Sequence, residues 1–117
     1  MTGVPAPAPV PAYDRDKLIE LFGDDPGTLA EVEREFLDTA REAEREIKGT
    51  DDCRVIARAA HRLKGASGMI GAATLRQIAE AVERAAKAGD LTGVRRLHEM
   101  FGREVKRVAE QAGVTAD

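Results

Sequence analysis

From Asp14 onward, apolar residues recur at intervals of three and four in stretches punctuated by glycine and aspartate, and nowhere do they alternate as a strand would require. This period puts the apolar residues on one face of successive α-helices. "DRDKLIELF" predicts a short helix over 14–22, stopped by Gly23. In "DDPG", Asp24 or Asp25 supplies an N-cap and Pro26 the first helical position, where a missing N–H costs nothing. A helix over 26–48 then carries Leu29, Val32, Phe36, Ala40, Ala43 and Ile47 on one face and many Glu and Arg on the other. Gly49 ends it, and Thr50 to Asp52 cap a third helix with Ile56, Ala59, Leu63, Ala66 and Ile70 as its stripe. Gly68 and Gly71 are expected to break or bend that helix. A fourth, over 72–88, buries Leu75, Ile78, Ala79, Val82 and Ala86. "GD" at 89 and 90 stops it and caps a last helix over 91–112, with Leu91, Val94, Leu97, Phe101, Val105 and Val108. Long amphipathic helices with short connections predict an all-α fold, an antiparallel four-helix bundle with a short additional N-terminal helix.

At 117 residues the chain holds one modest core and has no room for a second catalytic domain. Four of the five prolines lie in residues 1–12, alternating with Ala and Val, which predicts a flexible, extended tail and a bundle domain over 13–117. The N-terminus has neither the basic region nor the apolar run of a signal peptide, and no later stretch could span a bilayer. Cys53 is the only cysteine, so no intramolecular disulfide is possible, which fits the reducing cytoplasm.

A net charge of −3 argues against general nucleic-acid binding, which needs a basic surface, and no helix-turn-helix pattern is present. The charge is unevenly spread. All 21 acidic residues lie outside the segment from Cys53 to Ala79, which contains Arg54, Arg58, Arg62, Lys64 and Arg76. A local basic patch on an acidic chain points to a specific acidic partner, with Arg54, Arg58 and Arg62 as candidate docking residues. The competing reading of these arginines is a merely solvated helix face.

The basic segment contains "RAAHRLKGASGMIGA", and at ~100° per residue His61 points roughly 160° away from Leu63, so it faces solvent. Lys64 and Gly65 are its neighbours one turn on. Two glycines in a helix, Gly65 and Gly68, cost about 0.5–1 kcal/mol each relative to alanine. Either they clear an approach to the ring, or they fray the helix before the turn at Gly71. A neutral imidazole is a good nucleophile, and a nearby lysine could balance the charge of an arriving phosphoryl group. The chain has no glycine-rich phosphate loop with which to take that group from ATP. The arrangement suits accepting and returning a phosphoryl group, as a phosphotransfer intermediate would, rather than the work of an autonomous kinase.

"AHRLKGASGMIGA" closely resembles the signature of histidine-containing phosphotransfer (HPt) domains, roughly A-H-x-L-K-G-x-(S/A)-x-x-h-G, filled here by Ala60, His61, Leu63, Lys64, Gly65, Ser67, Ile70 and Gly71. The resemblance extends over about 14–112. It implies a four-helix bundle in which His61 accepts and donates a phosphoryl group, Lys64 stabilises its charge, and Gly65, Gly68 and Ser67 serve access and positioning. The implied partners are response-regulator receiver domains, a hybrid histidine kinase, or both, with Mg²⁺ held by the receiver and no cofactor bound by this chain. Ala66 stands where the family often has serine, on the expected core stripe. Sensor-kinase dimerisation helices usually follow their histidine with an acid, whereas Arg62 follows it here. The stretch is also similar to the phosphotransfer domain of chemotaxis-type kinases, which would receive phosphate from an ATP-bound domain. A non-phosphorylated helical adaptor that binds receivers is the remaining alternative.

An exposed histidine is by itself an ordinary surface residue, and the motif around His61 sets it apart. His98, beside Val94, Leu97 and Phe101, is expected to be a partly packed helix residue, and Cys53 a half-buried one. A metal site would require His61, His98, Cys53 and a carboxylate to converge, and no ligand pair has a recognised spacing. A monomer is expected, because one exposed histidine per bundle suffices.

Overall fold

A computed structural model describes residues 10–113. It contains α1 (Arg15–Phe22), α2 (Pro26–Lys48), α3 (Cys53–Met69), α4 (Ala73–Lys87) and α5 (Leu91–Ala112). The caps explain these limits. Asp14, Asp25, Asp52 and Asp90 each accept a backbone N–H at the start of α1, α2, α3 and α5, and Pro26 opens α2. Of the two aspartates before Pro26, Asp25 is the cap.

Helices α2 to α5 form the antiparallel four-helix bundle: α2 and α4 each pack on both α3 and α5, while α1 lies against α2. Because each of the four has two helical neighbours, its apolar stripe must be wider than one residue per turn. Leu37 beside Phe36 and Ala60 beside Ala59 are therefore fully buried, although the predicted stripes omitted them. On α3 the same widening puts Ser67 in the core, and Ala66 is only half-buried.

Helix α3 runs through Gly65 and Gly68 to Met69, so the predicted break at Gly68 is absent. The chain turns instead at Gly71, whose φ of 70° is left-handed. There the Ala72 N–H donates to the Ser67 carbonyl at 2.8 Å and the Gly71 N–H to the Gly68 carbonyl at 3.3 Å, the paired bonds of a Schellman ending. Gly89, also at φ 70°, ends α4 in the same way, with Asp90 N–H on the Ala85 carbonyl and Gly89 N–H on that of Ala86. A Cβ on Gly71 would stand 2.7 Å from the Cβ of Asp14. The glycine thus admits the start of α1, which the Asp14 N–H fastens to the Ile70 carbonyl at 3.1 Å.

Of the predicted flexible tail 1–12, residues 1–9 lie outside the described residues, and Val10 and Pro11 are exposed. Ala12 and Tyr13 are buried. Gln111 brackets them, accepting from the Ala12 N–H at 2.6 Å and donating to the Tyr13 carbonyl at 3.0 Å, while Arg107 donates to the Val10 carbonyl. Burying the Tyr13 ring draws the preceding residues onto α5. No helix among the described residues is long and apolar enough to cross a membrane.

Candidate functional site

Asp52 caps α3, and the helix then carries His61 and Lys64 at i and i+3 toward α4. Across the seam, α4 places Glu83 and Lys87 at i and i+4. The His61 side chain is 67% exposed, whereas that of Glu83 is 6% exposed. His61 Nδ1 lies 2.9 Å from Glu83 Oε2. Lys64 Nζ lies 2.8 Å from Oε1 of the same carboxylate and Lys87 Nζ 3.1 Å from Oε2.

Glu83 is therefore a buried anion surrounded by donors. The hydrogen bond from Lys64 pulls its pKa down, burial opposes this, and Lys87 and His61 add to the lowering, leaving it at about 2. Near neutral pH the carboxylate can only accept. The ring proton of a neutral His61 accordingly sits on Nδ1, and the lone pair on Nε2, which has no hydrogen bond among the described residues. A histidine held in this way presents a nucleophilic nitrogen to solvent.

A family model for the Hpt domain matches residues 26–112. The chain belongs to the Hpt domain family. No curated protein and no solved structure matches it. This family acts in histidine phosphotransfer in two-component signalling.

Within the Hpt domain the other predicted site residues take different places. A Cβ on Gly65 would meet nothing within 4 Å, so no packing among the described residues demands glycine there, and fraying does not account for it because α3 continues. Gly68 lies under Arg76, whose Cδ would stand 3.4 Å from an added Cβ, and its carbonyl accepts from Lys17 Nζ at 3.1 Å. Ser67 is fully buried and its Oγ has no partner among the described residues, so the helix turns it into the core and away from His61. Arg58 and Arg62 share with His61, Glu83 and Lys87 a groove of about 530 Å³. Arg54 continues the α3–α4 seam beside Lys87 and Gly89. Arg62 is drawn sideways to Glu46 on α2, at 2.7 Å.

Glu83 and Lys87 were not foreseen as site residues. The available signal was an acid on the buried stripe of α4, between Val82 and Ala86, among the first acids after the acid-free segment. His98 is partly packed as expected, stacked on Phe101 with centroids 6.3 Å apart, and Cys53 is a half-buried free thiol. Among the described residues no group of three His, Cys, Asp or Glu side chains could hold a metal ion.

Proposed function

We propose that this Hpt domain accepts a phosphoryl group on His61 Nε2 from the aspartyl phosphate of one receiver domain and passes it to the aspartate of another. The observation that carries this reading is the pairing of an exposed imidazole with a buried, ionised Glu83 on Nδ1. The Nε2 lone pair attacks phosphorus, the N–P bond forms, and the P–O bond to the aspartate breaks, with the electron pair leaving on the carboxylate. The ring keeps its Nδ1 proton and becomes cationic, and Glu83 stabilises that charge from 2.9 Å. Return transfer reverses each change.

Lys64 serves this charge balance through Glu83, holding the oxygen that His61 does not use. Gly65 leaves the approach to the ring open, and Arg54, Arg58 and Arg62 present positive charge to the acidic pocket in which a receiver holds its Mg²⁺. This chain binds no cofactor in the reaction and works as a monomer, since one ring completes the site.

The same carboxylate favours a second reading, in which a chemotaxis-type kinase domain phosphorylates His61 from ATP. A phosphoanhydride is a poorer donor than an acyl phosphate, and a carboxylate on Nδ1 raises the basicity of the ring that must attack it. An adaptor that only binds receivers would not carry phosphate at all.

Mixing the protein with phosphorylated receivers and Mg²⁺ is expected to move label onto it as acid-labile, alkali-stable phosphate, and His61→Gln is expected to abolish this. Absence of transfer from a broad receiver panel, or undiminished labelling of His61→Gln, contradicts the relay.

A further inference from the structure

We propose that Lys87, rather than the motif lysine Lys64, is the cation that moves onto the phosphoryl group when His61 is phosphorylated. The inference rests on the reading of His61 as phosphoryl acceptor and assigns the direct charge clamp within that site.

The two lysines hold the same carboxylate differently. Lys64 is the only side-chain donor to Glu83 Oε1 among the described residues, whereas Lys87 shares Oε2 with His61 Nδ1. If Lys64 left, Oε1 would be bare on a carboxylate that is 6% exposed, and an unsatisfied buried acceptor is costly. If Lys87 left, both oxygens would keep a donor. The side chains differ in the same sense: that of Lys87 is 66% exposed and that of Lys64 is 27% exposed. Lys87 is thus the cation that can swing at small cost.

Its destination is close by. Lys87 and Arg58 both line the groove in which His61 stands, and the Arg58 side chain makes no ion pair or hydrogen bond among the described residues. Before transfer, one carboxylate faces two ammonium groups. Transfer brings a dianionic phosphoryl group to Nε2 and a positive charge to the ring. Moving Lys87 from Oε2 to the phosphoryl oxygens answers both changes, because it neutralises the new anion and leaves Oε2 wholly to the Nδ1–H of the cationic ring.

The test uses the full chain and phosphoramidate as donor, so that no receiver surface contributes. Nε2 displaces ammonia from phosphorus: the N–P bond to the ring forms, and the donor's P–N bond breaks with its electron pair on a nitrogen that is already protonated. Phosphohistidine formation and decay are followed by phosphorus NMR in wild type, Lys87→Gln, Lys87→Arg, Lys64→Gln and His61→Gln. Lys87→Gln is expected to slow formation about tenfold and to shorten the phosphohistidine lifetime, with the rate restored by Lys87→Arg. It is also expected to leave the ring proton of the unphosphorylated protein on Nδ1, a position that Lys64→Gln disturbs. A labelled wild type with wild-type rates in Lys87→Gln overturns the inference and leaves the reading of His61 standing. A wild type that takes up no more phosphate than His61→Gln overturns both.

Discussion

Glu33 on α2 and Glu83 on α4 are both acids set into an apolar helix stripe, and both are almost wholly buried, yet they do different work. Glu33 accepts from the hydroxyl of Tyr13, itself 2% exposed, and has Arg15 at 3.9 Å. Its partner is part of the core, so the bond fastens the segment before α1 onto the bundle. Glu83 holds a ring that is 67% exposed, and its remaining donors are lysines. A buried carboxylate can thus hold a core group or an exposed one, and under the proposed function only the second serves a reacting nucleophile.

The largest effect expected from this contrast is at Glu83. Glu83→Gln removes the anion from Nδ1, and a hydrogen bond to a charged group is worth about 1.5–3 kcal/mol. Phosphoryl transfer to His61 is expected to slow about 10- to 100-fold, measured as label uptake, while the helical circular dichroism is retained. A rate within twofold of wild type would reduce Glu83 to a staple like Glu33.

A smaller and opposite effect is expected at the other carboxylate. Tyr13→Phe leaves Glu33 without its hydroxyl donor and is expected to cost about 1–3 kcal/mol of stability in denaturant unfolding, with transfer by His61 unchanged. The tyrosine also gives a pH signature. Burial, and then the hydrogen bond to Glu33, raise the Tyr13 pKa far above its ordinary value. Because the folded value is the higher one, this contribution is complete below about pH 10 and is lost as pH rises further. The alkaline loss of stability is expected to be shallower in Tyr13→Phe. Equal slopes would show that the hydroxyl is not buried.

Most of the helices were legible because their limits are local chemistry. Asp25 with Pro26, Asp52, and Gly89 with Asp90 mark helix ends whatever packs around them, and α2 and α5 span the predicted residues. The solvent-facing direction of His61 was legible for the same reason, since it depends only on the turn angle from Leu63. Other features depend on how one helix is rotated against another, which spacing along a single helix does not contain. Glu83 reads as an oddity of the α4 stripe until α3 brings His61 and Lys64 to it. Ser67 is not one of these: four residues beyond Leu63 it lies about 40° from it around α3, so the turn angle that puts His61 outside also puts Ser67 inside. Tyr13 followed a proline-rich run that looked solvated, and only the placement of Gln111 and Glu33 explains why it is buried.

The central claim is that His61 keeps its proton on Nδ1, held by Glu83, and reacts through Nε2. Nitrogen-15 NMR of the histidine rings, before and after phosphorylation, tests it directly. The account predicts a protonated Nδ1 and a bare Nε2 in the resting protein, then a phosphorus coupling at Nε2 with the Nδ1 proton retained. A resting proton on Nε2, or phosphate on Nδ1, would contradict it.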